Sequence, residues 1–152
     1  MARKAVVDAF LDRLGPVTGA PDDPRRYWQP MVGDPVPVFG PNETGDADPG
    51  GGMFLMTEFV AASEEMASIG NPGNNRWTET GVVRILINTE RNSGADLALT
   101  WADEIAALFR GQRLANEVQC WAVNSPQFDA RNDESGYFRC SVAVGYEADI
   151  FA

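Results

Sequence analysis

Few side chains in this sequence could do chemistry, and their spacing argues against most of the chemistry they could do. There is no histidine, which removes Ser/His/Asp and Cys/His nucleophilic systems, histidine proton shuttles and most zinc sites together. Carboxylates remain for acid and base work, and Glu64-Glu65, or Asp46 with Asp48, are the places to look. Neighbouring residues on a strand or helix do not face one another. In a chain with 22 carboxylates such pairs read as solvated surface. The stretch Asn42-Glu43-Thr44-Gly45-Asp46-Ala47-Asp48 is rich in oxygen ligands for calcium, but it lacks the glycine and distal glutamate of an EF-hand loop and reads as an acidic loop. Its Asn42-Glu43-Thr44 sequon is idle unless the chain is secreted. Neither a P-loop nor a GxGxxG fingerprint offers a cradle for phosphates. No catalytic residue, metal or cofactor is therefore assigned.

Cys120 and Cys140 have no CxxC partner and cannot fill a structural zinc site. In a reducing compartment they read as free thiols packed like small hydrophobes. A symmetric hairpin centred near Ala130 would set them opposite each other, where an oxidant could join them if the geometry permits. The net charge is −10, from 22 carboxylates against 12 Lys and Arg, so general attraction to nucleic-acid phosphates is not expected. An acidic wall would let DNA slide past without sticking, and solubility alone explains the same charge. No run of about 18 apolar residues is available to cross a bilayer. The basic N-terminus meets Asp8 and Asp12 too early for a signal peptide, so folding in the cytoplasm is expected.

The elements that must position these residues follow from periodicity. Val6, Val7, Phe10, Leu11 and Leu14 share one face of a helix over residues 3–14, which Gly15 is expected to close with a left-handed cap before Pro16. Residues 15–52 hold eight of the ten prolines and predict no long element. Tyr27, Trp28, Val36, Val38 and Phe39 make this stretch too apolar for a free linker, so it should dock on its own domain or on a neighbouring subunit. Strands are expected over 53–61 and 77–88, with a mobile, solvent-exposed turn at 70–75 between them.

Ser93 and Asp96 suggest a capping box variant for a helix over 95–109, with Leu97, Trp101, Ile105, Leu108 and Phe109 at helical spacing and Gly111 closing it. Arg110 and Arg113 then complement the helix C-terminus. Residues 117–123 alternate as a strand with Val118, Cys120 and Ala122 on one face and Trp121 on the other. Residues 137–147 alternate more clearly, with Phe138, Cys140, Val142, Val144 and Tyr146 together. The reading is one α+β domain over residues 1–152. It has a mixed or antiparallel sheet of about four strands against two helices, in the order α-β-β-α-β-β, with a Pro-rich insertion after the first helix and the second helix as a crossover.

The run from Arg76 through Trp77-Thr78-Glu79-Thr80-Gly81-Val82-Val83-Arg84-Ile85-Leu86-Ile87 to Asn88, the following helix ending in Leu-Phe-x-Gly, and two closing strands resemble the tail-terminator family of long-tailed phages. Gene transfer agents carry related proteins. The resemblance spans residues 53–151, and the Pro-rich insertion departs from its simplest form. It implies a non-enzymatic virion protein, assembled in the bacterial cytoplasm, that forms a hexameric ring on the last ring of the tail tube. Such a ring stops polymerisation and presents a surface to the neck or head-tail connector, while DNA passes through without specific binding.

Ring subunits use heterologous interfaces with apolar anchors. Trp28, Phe39, Met66, Ile69 and Trp77 are the candidate subunit-interface residues, because they lie in or beside irregular segments and not on the core stripes. Burial within their own subunit is the alternative for each. Two other functions remain open on the sequence: another tail-tube or head-tail joining subunit, and a small-molecule binding domain with a deep pocket around Trp121 and Arg139.

Overall fold

The computed structural model describes residues 4–16, 26–31, 33–41, 53–90, 95–128 and 137–151. Helix α1 (Lys4–Leu14) buries Val6, Ala9, Phe10, Leu11 and Leu14, the set that one helical face brings together. On its solvent face Lys4 Nζ donates to Asp8 one turn on, at 2.6 Å. Gly15 ends the helix by a different device from a left-handed cap. Its φ is not positive, and its N–H still donates to the Leu11 carbonyl at 2.8 Å. A Cβ at this position would come within 3.0 Å of the Val38 side chain and 3.2 Å of the Tyr27 carbonyl oxygen. A side chain here would press on the next segment, which packs directly against the backbone.

That segment contributes two strands that periodicity did not reveal. β1 (Arg26–Trp28) and β2 (Val36–Phe39) pair antiparallel, and β2 runs parallel to the start of β3 (Phe54–Met66) through Val38 and Phe39. β3 and β4 (Arg76–Glu90) form a long antiparallel hairpin. β3 extends past its expected end at Ala61. Ala-Ser-Glu-Glu-Met is a weak strand former by composition, but β4 zips it from Ser63 opposite Thr80 to Met66 opposite Trp77. The connecting loop is exposed except at Asn75 and internally tied. Ala67 N–H donates to the Arg76 carbonyl at 2.7 Å and Arg76 N–H to Ser68 Oγ at 2.7 Å. Gly70 and Gly73 supply the positive φ angles.

α2 (Asp96–Phe109) buries Ala98, Trp101, Ala102, Ile105, Ala106 and Phe109. Leu97 faces outward, one residue off this stripe. Ser93 lies outside the described residues, and Ala95 at the N-cap makes no side-chain capping bond. Gly111, at φ +66°, closes the helix as expected. Then follow β5 (Val118–Val123), the two-residue β6 (Gln127–Phe128) and β7 (Tyr137–Phe151).

The fold is α+β with a mixed sheet and two helices. Among the described residues it has seven strands instead of about four, in the chain order α-β-β-β-β-α-β-β-β. Across the sheet the strands run β1-β2-β3-β4-β7-β5, with β6 also on β7. α2 does cross over between β4 and β5, but β7 returns to lie between them. β4 and β5 both pair antiparallel with β7, so they run parallel to each other two places apart. Alternation tells which face a residue takes, not which strand its own strand will neighbour.

The inner face of the sheet carries Leu55, Val83, Ile85, Ile87, Cys140, Val142 and Val144, all fully buried against the helices. Phe10 is the hinge of this core. Its ring stacks on Phe109 of α2 at 5.4 Å and meets Phe59 of β3 and Tyr146 of β7 edge-on at 6.0 and 5.5 Å. Replacing Phe10 with alanine opens a cavity where four elements meet. It should lower the free energy of unfolding by about 3–5 kcal/mol, read as a shifted denaturation midpoint with little change in slope.

Candidate functional site

Trp28 and Phe39 belong to their own subunit's core. Trp28 is 5% exposed and sets its ring edge-on to Trp101 of α2 at 5.5 Å. Phe39, also 5% exposed, packs against Phe54. The Pro-rich segment, where described, is thus docked at home. Arg26 ties it to Asp12 at 2.7 Å and to the Gly15 carbonyl, and Met31 N–H donates to Glu104 of α2 at 3.1 Å. The carboxylates Asp46 and Asp48, with the whole 42–48 loop, lie outside the described residues.

Met66, Ile69 and Trp77 come together at the free end of the β3–β4 hairpin. Met66 and Trp77 are direct cross-strand partners, and Trp77 also faces Ile150 of β7. Met66 is 45% exposed and Ile69, on the loop, 91%. Apolar side chains this open at a hairpin end cost solvation in the isolated chain and favour contact with another surface. The same end is acidic: Glu64 and Glu65 are exposed, and Asp149 accepts from Thr78 Oγ1 at 3.0 Å. Arg76 is the nearby cation. β2 reaches only Leu55 and Met56 of β3, so 57–66 of β3 have no second strand neighbour among the described residues.

Glu64 and Glu65 take opposite faces of β3, as adjacent strand residues do. Glu64 stands across from Glu79, which is buried and accepts from the Tyr146 hydroxyl at 3.4 Å. Burial, and then the neighbouring Glu79 carboxylate, hold the Tyr146 phenol far above its ordinary range. This hydroxyl is a donor that satisfies a buried carboxylate, not a nucleophile.

Two other buried polar groups are satisfied in the same manner. Asn88 receives a bond from Arg139 Nε at 2.8 Å and donates to the Phe54 carbonyl, and Thr57 Oγ1 donates to the Phe39 carbonyl. No group of three or more His, Cys, Asp or Glu side chains converges among the described residues.

Trp121 is 53% exposed. It sits in a bulge of β5, where the register on β7 shifts between Cys120 and Val123. The bulge breaks the expected alternation: Ala122 is exposed and Val123 turns toward the core. Arg139 is roughly 20 Å from Trp121 by the rise along β7, so the two do not line one pocket. A shallow, open hollow of about 360 Å³ lies instead between Ala62, Ser63, Thr80, Gly81 and Val82.

An arginine-bearing stretch runs beside Trp121. The Trp121 carbonyl accepts from Gly111 N–H at 3.0 Å, and the Gln112 carbonyl accepts from Cys120 N–H, which folds the Arg110–Arg113 stretch along β5. Sequence reasoning assigned these arginines to the helix terminus alone. Their place beside Trp121 depends on a return of chain that no local pattern encodes.

The cysteines do not face each other. Cys120 is opposite Tyr146 and Cys140 opposite Phe128 and Ile87. The pairs Cys120–Tyr146 and Phe128–Cys140 centre the hairpin at about residues 133–134, C-terminal to the Ala130 expected, so the two cysteines fall on different rungs. Both thiols are free and fully buried.

A family model described as phage tail terminator protein matches residues 5–146. No curated protein matches in sequence. One solved structure superposes with a TM-score of 0.56 at 18% identity, covering 100% of this chain and 99% of the other, a likeness of fold.

Burial pushes the Cys120 thiol up to about 11 and the Cys140 thiol upward as well. Below pH 9.0, the unperturbed thiol value, folded and unfolded chains both keep the proton and the stabilisation is complete. Above it the unfolded chain loses its proton first, so stability should fall as pH rises from 9.0 through about 11. Urea titrations between pH 7 and 11 check this, with Cys120→Ala expected to flatten the decline. A thiol reagent should label neither cysteine until the chain unfolds.

Proposed function

The chain belongs to the phage tail terminator family, and on that premise we propose that it forms a hexameric ring that caps the tail tube and ends its polymerisation. Membership makes it a structural component of the virion tail, in a family of structural proteins that act with other tail or head-tail proteins. The ring, its six copies and its capping action are our reading. So are its partners, the tube protein below and a neck or head-tail connector above, and its assembly as one domain in the bacterial cytoplasm before joining a phage or gene transfer agent particle.

The observation that carries the reading is the free end of the β3–β4 hairpin. Met66 and Trp77 pair across the two strands there and Ile69 lies on the loop between them, with Met66 and Ile69 open to solvent. We assign them to the subunit interface. A ring face that matches the tube, and an opposite face lacking the surface the next tube ring needs, stops growth without any chemistry. With a net charge of −10, the ring's channel passes DNA without holding it.

Electron microscopy of the purified chain across a concentration series, with mass measured in parallel, tests this. Closed six-fold rings that do not stack are expected. Long cylinders would identify a tube protein instead, and a monomer at every concentration would count against a ring that closes unaided.

A further inference from the structure

Resting on the ring reading, we infer that the free end of the β3–β4 hairpin docks on the next copy at the opposite edge of the sheet, with Glu65 and Met66 meeting Arg110 and Trp121. A ring needs a heterologous contact, two different patches on opposite sides of one subunit. The sheet order provides them. Beyond Met56, β3 has no second strand neighbour among the described residues, and β5 closes the other side. They are three strand steps apart, about 14 Å. Ala62 is level with Cys120 through Gly81 and Tyr146, whereas Glu65 and Met66 lie toward the Val118 end of β5 and Trp121 toward the other, so the docked copy is shifted along the strand direction.

The two patches are complementary. The β3 patch is acidic and aliphatic, with exposed Val60, Glu65 and Met66. Arg110 and Arg113 belong to the stretch that runs beside Trp121, whose carbonyl accepts from Gly111 N–H. Arg113 is already paired with Glu117. Glu65 and Arg110 are both exposed, and neither has an ion-pair partner among the described residues. A half-exposed tryptophan flanked by arginines has the composition of an interface centre.

The segment carrying Gly111 and Gln112 already occupies the outer side of β5. The contact is therefore made by side chains and not by extending the sheet.

The test is a charge exchange. Glu65→Arg and Arg110→Glu should each raise the concentration for half-assembly about tenfold or more, measured by sedimentation. The double variant should return it to within about threefold of wild type. Both sites are exposed, so unchanged melting temperatures will show that the variants fold. Wild-type rings with single variants that assemble equally well, or a double variant worse than either single, would overturn this contact and leave the ring standing. A wild-type chain that stays monomeric at every concentration would overturn both.

Discussion

The unbroken pairing of β4 with β7 is the constraint on which the rest of the molecule depends. It runs from Arg76 opposite Phe151 to Glu90 opposite Tyr137 without a register shift. Because side chains alternate strictly, one register sets every inward residue of both strands. A slip of one place would send Val83, Ile85, Ile87, Cys140, Val142 and Val144 to solvent together. The two helices have a surface to cover only because this register holds, and the Phe10 cluster forms only because Tyr146 and Phe59 then reach the same place.

The pairing also explains why β3 runs as far as it does. Its final residues are Ser, Glu, Glu and Met, which would not form a strand by preference. β4 is held straight by β7 on its other side, so β3 needs only one partner to continue. The Ser63 and Thr80 hydroxyls meet at 3.2 Å. The irregularity between Phe59 and Ala61 takes up the mismatch. It leaves Val60 exposed and, with Gly81 lacking a side chain opposite Ala62, produces the shallow hollow beside it.

What could be read from the sequence was local. The apolar stripe of α2, the alternation of β7, the face of α1 and the turn-rich tip between two strands each depend on residues close in sequence. Misreadings arose where distant segments meet. Trp28 and Phe39 fill gaps beside Trp101 and Phe54, and no periodicity marks a three- or four-residue strand among prolines. Gly15 resembles a helix stop in the sequence, yet what crowds a side chain there is Val38 and the backbone of Tyr27. Cys120 and Cys140 miss each other because the hairpin is centred at about residues 133–134 and not at Ala130, a register that no local pattern encodes. At the candidate site, the apolar character of Met66, Ile69 and Trp77 was visible in their irregular surroundings. The cations beside Trp121 were not, because the contact runs through Gly111 and a second strand.

Charge on an open edge limits what the edge can join. A free strand edge as long as residues 57–66 of β3 is ordinarily a route to uncontrolled sheet growth. Here it carries Glu58, Glu64 and Glu65, with Glu58 paired to Arg84 of the adjacent strand at 3.2 Å. Two such edges brought together would set carboxylates against carboxylates, which opposes pairing of like with like. A surface of opposite charge meets no such barrier. The same residues that forbid a two-fold, edge-to-edge pair thus leave a head-to-tail contact open, and head-to-tail contacts end either in a filament or in a ring according to the rotation between neighbours. For a member of a family that terminates tails, acidic residues on the free edge are an assembly constraint as much as a source of solubility.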